Sequence, residues 1–441
     1  MKKRRLNLAS KSPYIILLMG FAILILVGSL LFMLPFATKE GQAISYIDSL
    51  FLSTSAICVT GLVSSPLPLA ELLSPFGCII LLLLVEVGGL GFITLVTFAF
   101  SLMGKKAGVS TNLLLKEAMN QNSYHELIPL GKKIVLTSFL FQGIGVIFNT
   151  VAFCIEGFNF FESLWYSIFH TISAFNNAGF DILGSNSFVD YKDNILLMIT
   201  CSTLILCGGL GFVVMFDIFN KKKWKRLTVH SKIVIKMTIG IVVIGTLILK
   251  LSAFNEISWF DAFLQIVFAR TAGFCSVNLP LLPYTTLIIL CVVMFIGGSP
   301  ASIAGGVKTT TVYTIVKSVL CFGRGKSHLI AHNREIKSES ILKSYVLVTI
   351  SLIFIIIMVF LISSIQPELS LRDIVFEVFS AFATCGTTLG ITTKLSTISK
   401  LLIILVMYFG RLGPITFISL LNKGINSEER VKYIEEKIII G

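Results

Sequence analysis

Thr54-Ser55-Ala56-Ile57-Cys58-Val59-Thr60-Gly61-Leu62 closes an apolar segment, residues 44–57, that is too short to cross a bilayer. It ends in small residues and a glycine, then gives way to Ser64-Ser65-Pro66-Leu67-Pro68. At membrane depth, backbone outside a helix is tolerated only where it is buried in protein or lines a watery cavity. Glycine, without a Cβ, takes positive φ and lets neighbouring carbonyls turn toward a pore. A row of such carbonyls can replace the hydration shell of a cation. One such stretch would decide little, but the chain carries four.

Composition fixes the solvent. Of 441 residues, 55% are hydrophobic and 13% charged, and mean hydropathy is +0.90. No water-soluble fold covers so much apolar surface with so little charge. The formal charge of +13 does not point to nucleic acid, because Lys and Arg lie between apolar runs rather than on one polar face. Nine cysteines, several inside apolar runs (Cys58, Cys78, Cys201, Cys207, Cys291), show no framework spacing and read as buried free thiols. The first apolar run is too long for a signal peptide and lacks a small-residue cleavage site, so it reads as a span.

Long apolar runs at 14–36, 77–103, 134–155, 195–219, 233–250, 283–318, 345–364 and 401–421 predict eight spanning helices. Between the members of each pair lies a shorter piece (44–57, 160–174, 259–269, 371–383) with the length of a re-entrant half-helix. Each begins near an acid or a polar turn, at Asp48, Glu162, Asp261 and Asp373, and ends in a loop around one glycine. The loops read Val59-Thr60-Gly61-Leu62, Asn177-Ala178-Gly179-Phe180, Thr271-Ala272-Gly273-Phe274 and Thr384-Cys385-Gly386-Thr387. A second marker follows 24 to 29 residues later: Gly88-Gly89-Leu90-Gly91, Gly208-Gly209-Leu210-Gly211, Gly297-Gly298-Ser299-Pro300 and Gly410-Arg411-Leu412-Gly413. Any one Gly-Gly pair is usually close helix packing. Two markers in phase, about every 110 residues, make an internal repeat. The repeats span 13–106, 107–226, 227–325 and 326–422, between a basic N-terminus, 1–12, and a C-terminal segment, 423–441. The expected fold is all-α: eight transmembrane helices and four re-entrant pore helices in four pseudo-symmetric repeats around one pore.

Basic clusters at Lys2 to Arg5, Lys105-Lys106, Lys132-Lys133, Lys221 to Arg226, Arg324 to Lys337 and Lys432 to Lys437 share one side of that layout. Acids including Glu40, Glu71, Glu156, Asp181, Asp190, Asp193, Glu256 and Glu368 share the other. The positive-inside rule then puts both termini in the cytoplasm. Half-helices entering from outside would aim their negative dipole ends at the membrane centre, which favours a cation there, and an acidic mouth attracts one.

The third repeat adds Gly297 to Gly306, with four glycines and a proline in ten residues, inside an apolar run. Such a stretch does not sustain helix, since Pro alone costs about 3 kcal/mol, and unwound backbone below the loops can act as a movable barrier. Arg411 falls mid-span, where a charge must face protein or water. It reads as a pore-facing barrier, a partner to the loop carbonyls, or a cap for broken helix ends. Lys308 is a weaker candidate of the same kind. Other signals are bland. Gly325-Lys326-Ser327 lacks the first glycine of a phosphate loop, and His328 and His332 lack the glutamate of a zinc helix. His170 and Glu86 read as hydrogen-bonded packing. No Asp/Glu/His chain recurs as a proton-coupled pump would need.

The four-fold pattern, with Asn176-Asn177-Ala178-Gly179-Phe180, Ala269-Arg270-Thr271-Ala272-Gly273-Phe274 and Gly410-Arg411-Leu412-Gly413-Pro414, resembles the superfamily of K⁺ transporters that includes Trk, Ktr and plant HKT proteins. The likeness runs from about residue 13 to 421 and is nearer the Ktr type. It implies a subunit of the bacterial cell membrane that takes up K⁺, with Na⁺ as a coupling ion, and no enzyme activity. It implies a K⁺ filter at Val59, Thr60 and Gly61; Asn177, Ala178 and Gly179; Thr271, Ala272 and Gly273; and Thr384, Cys385 and Gly386. A gate is implied at Gly297, Gly298, Ser299, Pro300, Ala301, Ser302, Ala304, Gly305 and Gly306, with Arg411. It further implies a homodimer docked, through loop 321–340 among other contacts, on a ring of cytosolic RCK subunits that carry the regulatory nucleotide. No cofactor on this chain and no nucleic-acid partner are expected. The alternatives are a Na⁺-permeable member of the superfamily, against which Gly61 argues, and a polytopic membrane enzyme, which would show a recurring His/Asp/Cys cluster.

Overall fold

The computed structural model describes residues 13–91, 94–95, 127–184, 187–326, 328–414 and 416. The termini 1–12 and 423–441, the clusters Lys2 to Arg5, Lys105-Lys106 and Lys432 to Lys437, and the ends of runs 77–103 and 401–421 lie outside the described residues. In chain order the helices are α1 (Pro13–Phe32), α2 (Tyr46–Ile57), α3 (Leu69–Leu72), α4 (Pro75–Leu90), α5 (Leu127–Ile155), α6 (Phe160–Phe175), α7 (Ile195–Leu210) and α8 (Phe212–Lys221). They continue as α9 (Val229–Ser252), α10 (Trp259–Ala269), α11 (Tyr284–Phe295), α12 (Thr309–Phe322), α13 (Ser338–Ile365), α14 (Leu371–Ala383) and α15 (Thr397–Leu412). A hairpin of β1 (Ile330–Ala331) and β2 (Arg334–Glu335), which periodicity did not reveal, precedes α13. Across it His328 pairs with Glu335 at 2.7 Å.

Among the described residues four helices, α1, α5, α9 and α13, are long and apolar enough to cross a membrane, and a fifth span arises if α7 and α8 count as one bent element. Their outward faces carry large apolar side chains such as Leu140 (62% exposed), Ile356 (65%) and Phe360 (67%), which suits lipid rather than water. Two of the eight runs read from hydropathy are broken rather than single helices, and the break at Gly297 to Gly306 is the one that composition leads us to expect. Run 195–219 breaks at Gly211 with a bend of 96°, and run 283–318 divides into α11 and α12 around a loop. Hydropathy sees apolar length, but α4, α7 and α15 stop at Gly91, Gly211 and Gly413, whose φ values of +77°, +89° and +79° end a helix cheaply only at glycine.

The four short helices begin alike. Ser45, Asn159, Ser258 and Ser370 cap α2, α6, α10 and α14 by accepting from the backbone N–H of Asp48, Glu162, Asp261 and Asp373. Each acid thus sits at the third helical position, where it also complements the positive helix end. The helices then interlock in a cycle. α4 packs on α2 and α6, α7 on α6 and α10, α11 on α10 and α14, and α15 on α14 and back on α2. Asp48 reinforces that closure by pairing with Lys400 of α15 at 2.6 Å. On α2, Ser49 and Ser53 donate to the Ser29 and Ile25 carbonyls of α1 at 2.5 and 2.7 Å, so small hydroxyls permit close approach without leaving polar atoms bare.

Candidate functional site

At the C-terminal ends of α2, α6, α10 and α14 the chain makes the same turn four times. Val59, Asn177, Thr271 and Thr384 are left-handed, with φ of 57°, 54°, 67° and 50°. Two residues on, Gly61, Gly179, Gly273 and Gly386 take φ of 95°, 69°, 81° and 95°. Left-handed backbone costs a non-glycine residue about 1–2 kcal/mol, so four such residues in register mark a conformation imposed by its surroundings. Alternating the hand of successive residues turns N–H groups to one side and carbonyls to the other. The N–H groups turn back into the helix ends. Thr60 N–H donates to Ser55 O (2.7 Å), Ala178 to Ser173 O (2.8 Å), Ala272 to Phe268 O (3.0 Å) and Cys385 to Ser380 O (2.9 Å). Two serine hydroxyls add to this: Ser55 Oγ accepts from Gly61 N–H at 3.0 Å and Ser380 Oγ from Gly386 N–H at 3.1 Å. Among the described residues no backbone N–H reaches the carbonyls of Thr60, Ala178, Ala272 or Cys385.

These four strands close on one another. A Cβ on Gly61 would strike the Ala178 carbonyl, one on Gly179 the Ala272 carbonyl, one on Gly273 the Cys385 carbonyl, and one on Gly386 the Thr60 carbonyl. The contacts run from first to second to third to fourth and back to the first. At this ring only glycine fits. The Asn177 amide meets Thr271 Oγ1 at 3.2 Å across one seam, while Thr60 Oγ1 and Thr384 Oγ1 are buried without hydrogen-bond partners among the described residues. Arg270, 4% exposed at the base of the third strand, leaves its Nε unpartnered among the described residues.

On one side of the ring opens a cavity of about 510 Å³, lined by all four glycines and by Val63, Asp181, Cys275 and Thr388, each two residues beyond its glycine. Behind it Glu377 of α14, 1% exposed, accepts from the hydroxyls of Thr388 (2.7 Å) and Thr392.

On the other side lie the second markers. Cβ atoms on Gly88, Gly208 and Gly410 would strike the carbonyls of Ile57, Phe175 and Phe382, each four residues before a ring glycine. The third repeat departs, because Gly297 faces the Gly305 carbonyl instead. Its loop seats on the break between α7 and α8: Ser299 N–H donates to Gly209 O (3.1 Å), Ile303 to Gly208 O (3.3 Å), and Phe212 to Ala301 O (3.1 Å). The loop also reaches the strands, since a Cβ on Gly305 would meet Thr384 Oγ1. Arg411 donates to the carbonyls of Ile303 in the loop and of Gly88 and Gly89 at the end of α4, the last at 3.1 Å. Lys308 donates to Ala304 O at 2.6 Å. Glu86 accepts from Gln142 (2.9 and 3.1 Å) and from Asn176 (2.6 Å) just before the second strand.

The twelve residues singled out at the loop glycines therefore meet in one ring, and Gly297 to Gly306 with Arg411 meet directly beneath it. Ser55, Ser380, Glu377 and Asp181 were not singled out for the ring. A serine six residues before three of the four glycines, Ser55, Ser173 and Ser380, was the available signal.

The profile of the TrkH family, described as cation transport protein, matches residues 1–433. The chain is 38% identical to the potassium/sodium uptake protein NtpJ of Enterococcus hirae over 443 residues, which cover 98% of this chain and 97% of that protein. It is 32% identical over 441 residues to the Ktr system potassium uptake protein B of Bacillus subtilis, with coverage again of 98% and 97%. Its fold matches the crystal structure of the potassium transporter TrkH from Vibrio parahaemolyticus with a TM-score of 0.73, covering 95% of this chain and 86% of that one at 19% identity. A helical chain so long in apolar surface, matched from end to end by transport proteins, is a membrane transporter subunit and not an enzyme: it belongs to the TrkH family of cation transport proteins.

Proposed function

We propose that this chain is the ion-conducting subunit of a bacterial K⁺ uptake system. The observation that carries the proposal is the closed ring of Gly61, Gly179, Gly273 and Gly386, whose preceding carbonyls are left without backbone donors. Carbonyls so presented can replace the water around a dehydrated K⁺. On this reading α2, α6, α10 and α14 are re-entrant pore helices, and their negative C-terminal ends favour the ion. The remaining long and broken helices form eight crossings in four repeats, 13–106, 107–226, 227–325 and 326–422. Val59, Thr60, Asn177, Ala178, Thr271, Ala272, Thr384 and Cys385 complete the filter. The loop Gly297 to Gly306 blocks the exit, and Arg411 holds it shut through the Ile303 carbonyl. The names of the relatives support K⁺ as cargo, and that of NtpJ supports a part for Na⁺.

The membrane potential drives K⁺ inward by about 2.3 kcal/mol per charge per 100 mV. The basic clusters support an orientation in the cell membrane with both termini on the cytoplasmic side. The regulatory nucleotide resides on a cytosolic RCK ring that docks on a homodimer of this chain, with the loop 321–340 as one contact. Expression in a bacterium lacking its own K⁺ uptake, with a matching RCK partner, tests the reading. Growth at low K⁺ is the expected result. Failure to grow, or growth that requires only Na⁺ and admits no K⁺, would overturn it.

A further inference from the structure

Each strand leaves the glycine ring by the same path, so the residues two beyond the glycines form an outer tier: Val63, Asp181, Cys275 and Thr388, all lining the cavity. Three of the four are uncharged at neutral pH. Among the described residues that line the cavity, Asp181 is the one charged side chain. Its neighbours in the wall are largely apolar, Leu62, Phe180, Val277 and Leu279 among them. Its Oδ1 accepts a long hydrogen bond from Leu183 N–H, at 3.4 Å, and the Ser187 side chain lies beside the carboxylate. No Lys, Arg or His pairs with it among the described residues.

A cavity of about 510 Å³ admits several hydrated or partly hydrated ions' worth of water. A lone carboxylate in so confined a space attracts a cation more strongly than one on an open surface, because apolar walls lower the effective dielectric. We infer that Asp181 forms a monovalent-cation site in this cavity, one tier outside the glycine ring, and that protons compete with the cation for it. The inference rests on the transport reading above and names the residue that loads the ring.

The groups that face Asp181 set its behaviour. Cys275 approaches from the third strand, and Val63 from the first contributes no charge. Thr388 from the fourth presents a hydroxyl that is tied to Glu377 behind the wall. Beneath its own loop the buried His170 lies with Nε2 at 3.5 Å from Ile182 N and with Nδ1 held by the Tyr166 carbonyl at 2.6 Å. The turn Val189–Tyr191 reaches the wall through Val189, while its Asp190 and Tyr191 do not line the cavity. None is a cation at neutral pH that would hold Asp181 ionised, and burial pushes its carboxyl up to about 6. For an acid so raised, the charge that recruits the cation is present above that value and lost as external pH falls through it.

Rubidium uptake by the complete transporter in cells lacking other K⁺ uptake tests this, for wild type, Asp181→Asn and Asp181→Glu, across external pH from about 5 to about 8. In wild type the KM should rise severalfold as pH falls through about 6, with maximal rate little changed. Asp181→Asn should hold a raised KM that is flat with pH, and Asp181→Glu should restore the slope. A wild-type KM in Asp181→Asn, or an unaltered slope there, would overturn the site. So would a flat profile in wild type alone, which is decisive even if the variants fail to accumulate. Absence of rubidium uptake by wild type at any pH would overturn the transport reading together with the site, a result distinct from uptake with a flat profile.

Discussion

The ring of glycines and the layer directly beneath it are built from the same four repeats, yet only one of them keeps the symmetry. In the ring every strand makes the same left-handed turn and each glycine meets the next strand's carbonyl. In the layer beneath, Gly88, Gly208 and Gly410 seat on helix-end carbonyls alike, while Gly297 meets its own loop and Arg411 appears only in the fourth repeat. A site that strips water from an ion needs equal ligands around an axis. A barrier needs one element that differs from its neighbours and can move relative to them. On the proposed reading, the equal tier is where ions are recognised and the unequal tier is where passage is controlled.

Substituting a ring glycine is expected to do the most damage. In Gly386→Ala the Cβ has no room against the Thr60 backbone, and the residue keeps a φ of +95°. Left-handed strain alone is about 1–2 kcal/mol, near a factor of ten, and the clash adds to it. Uptake should fall at least tenfold on that scale, as measured by initial rates normalised to protein in the membrane.

The lower tier separates next. Gly211→Ala and Gly413→Ala share the left-handed strain at φ of +89° and +79°, but only the first Cβ meets backbone, the Pro300 carbonyl at 2.7 Å, while the second has open space. Gly211→Ala should therefore lower the melting temperature more and alter basal flux, and Gly413→Ala should change stability alone. Arg411→Gln should raise flux without the RCK partner severalfold, since bonds from a charged donor are worth about 1.5–3 kcal/mol each. Lower flux with an intact fold would assign Arg411 to helix capping instead.

Within the ring the effects become smaller. Ser55→Ala and Ser380→Ala remove the hydroxyls that hold Gly61 and Gly386, at about 1 kcal/mol each, or roughly fivefold in KM for K⁺. The third strand has Val267 at the matching place, so Val267→Ala should leave KM unchanged. Smallest is Lys400→Met, which breaks the pair with Asp48 and should cost under about 1 kcal/mol, read as a shift of about a degree or two in thermal unfolding.

Much of this was legible in the sequence, and the reason is periodicity. Gly61, Gly179, Gly273 and Gly386 align without gaps, and Asp48, Glu162, Asp261 and Asp373 mark the helix starts. The break at Gly211 was not legible, because Leu210 and Phe212 keep hydropathy high while the φ of +89° depends on a loop that arrives from the third repeat. Glu86 reads as hydrogen-bonded packing and is so bonded, but its partners, like those of Glu377, were hard to place for the same reason. These partners, Thr388, Gln142 and Asn176 among them, are distant in the chain or fall outside any repeat register. Left-handed Val59, Asn177, Thr271 and Thr384 are of three residue types, none of them glycine, so no sequence pattern announces their backbone.

Ion discrimination in Gly273→Ser tests the central claim most directly. Rubidium and sodium fluxes would be compared, in proteoliposomes, between this variant and wild type. The ring as described requires that the variant lose preference for rubidium over sodium while still admitting cations. A variant that conducts with wild-type preference would show that the ring of glycines is not where the ion is read.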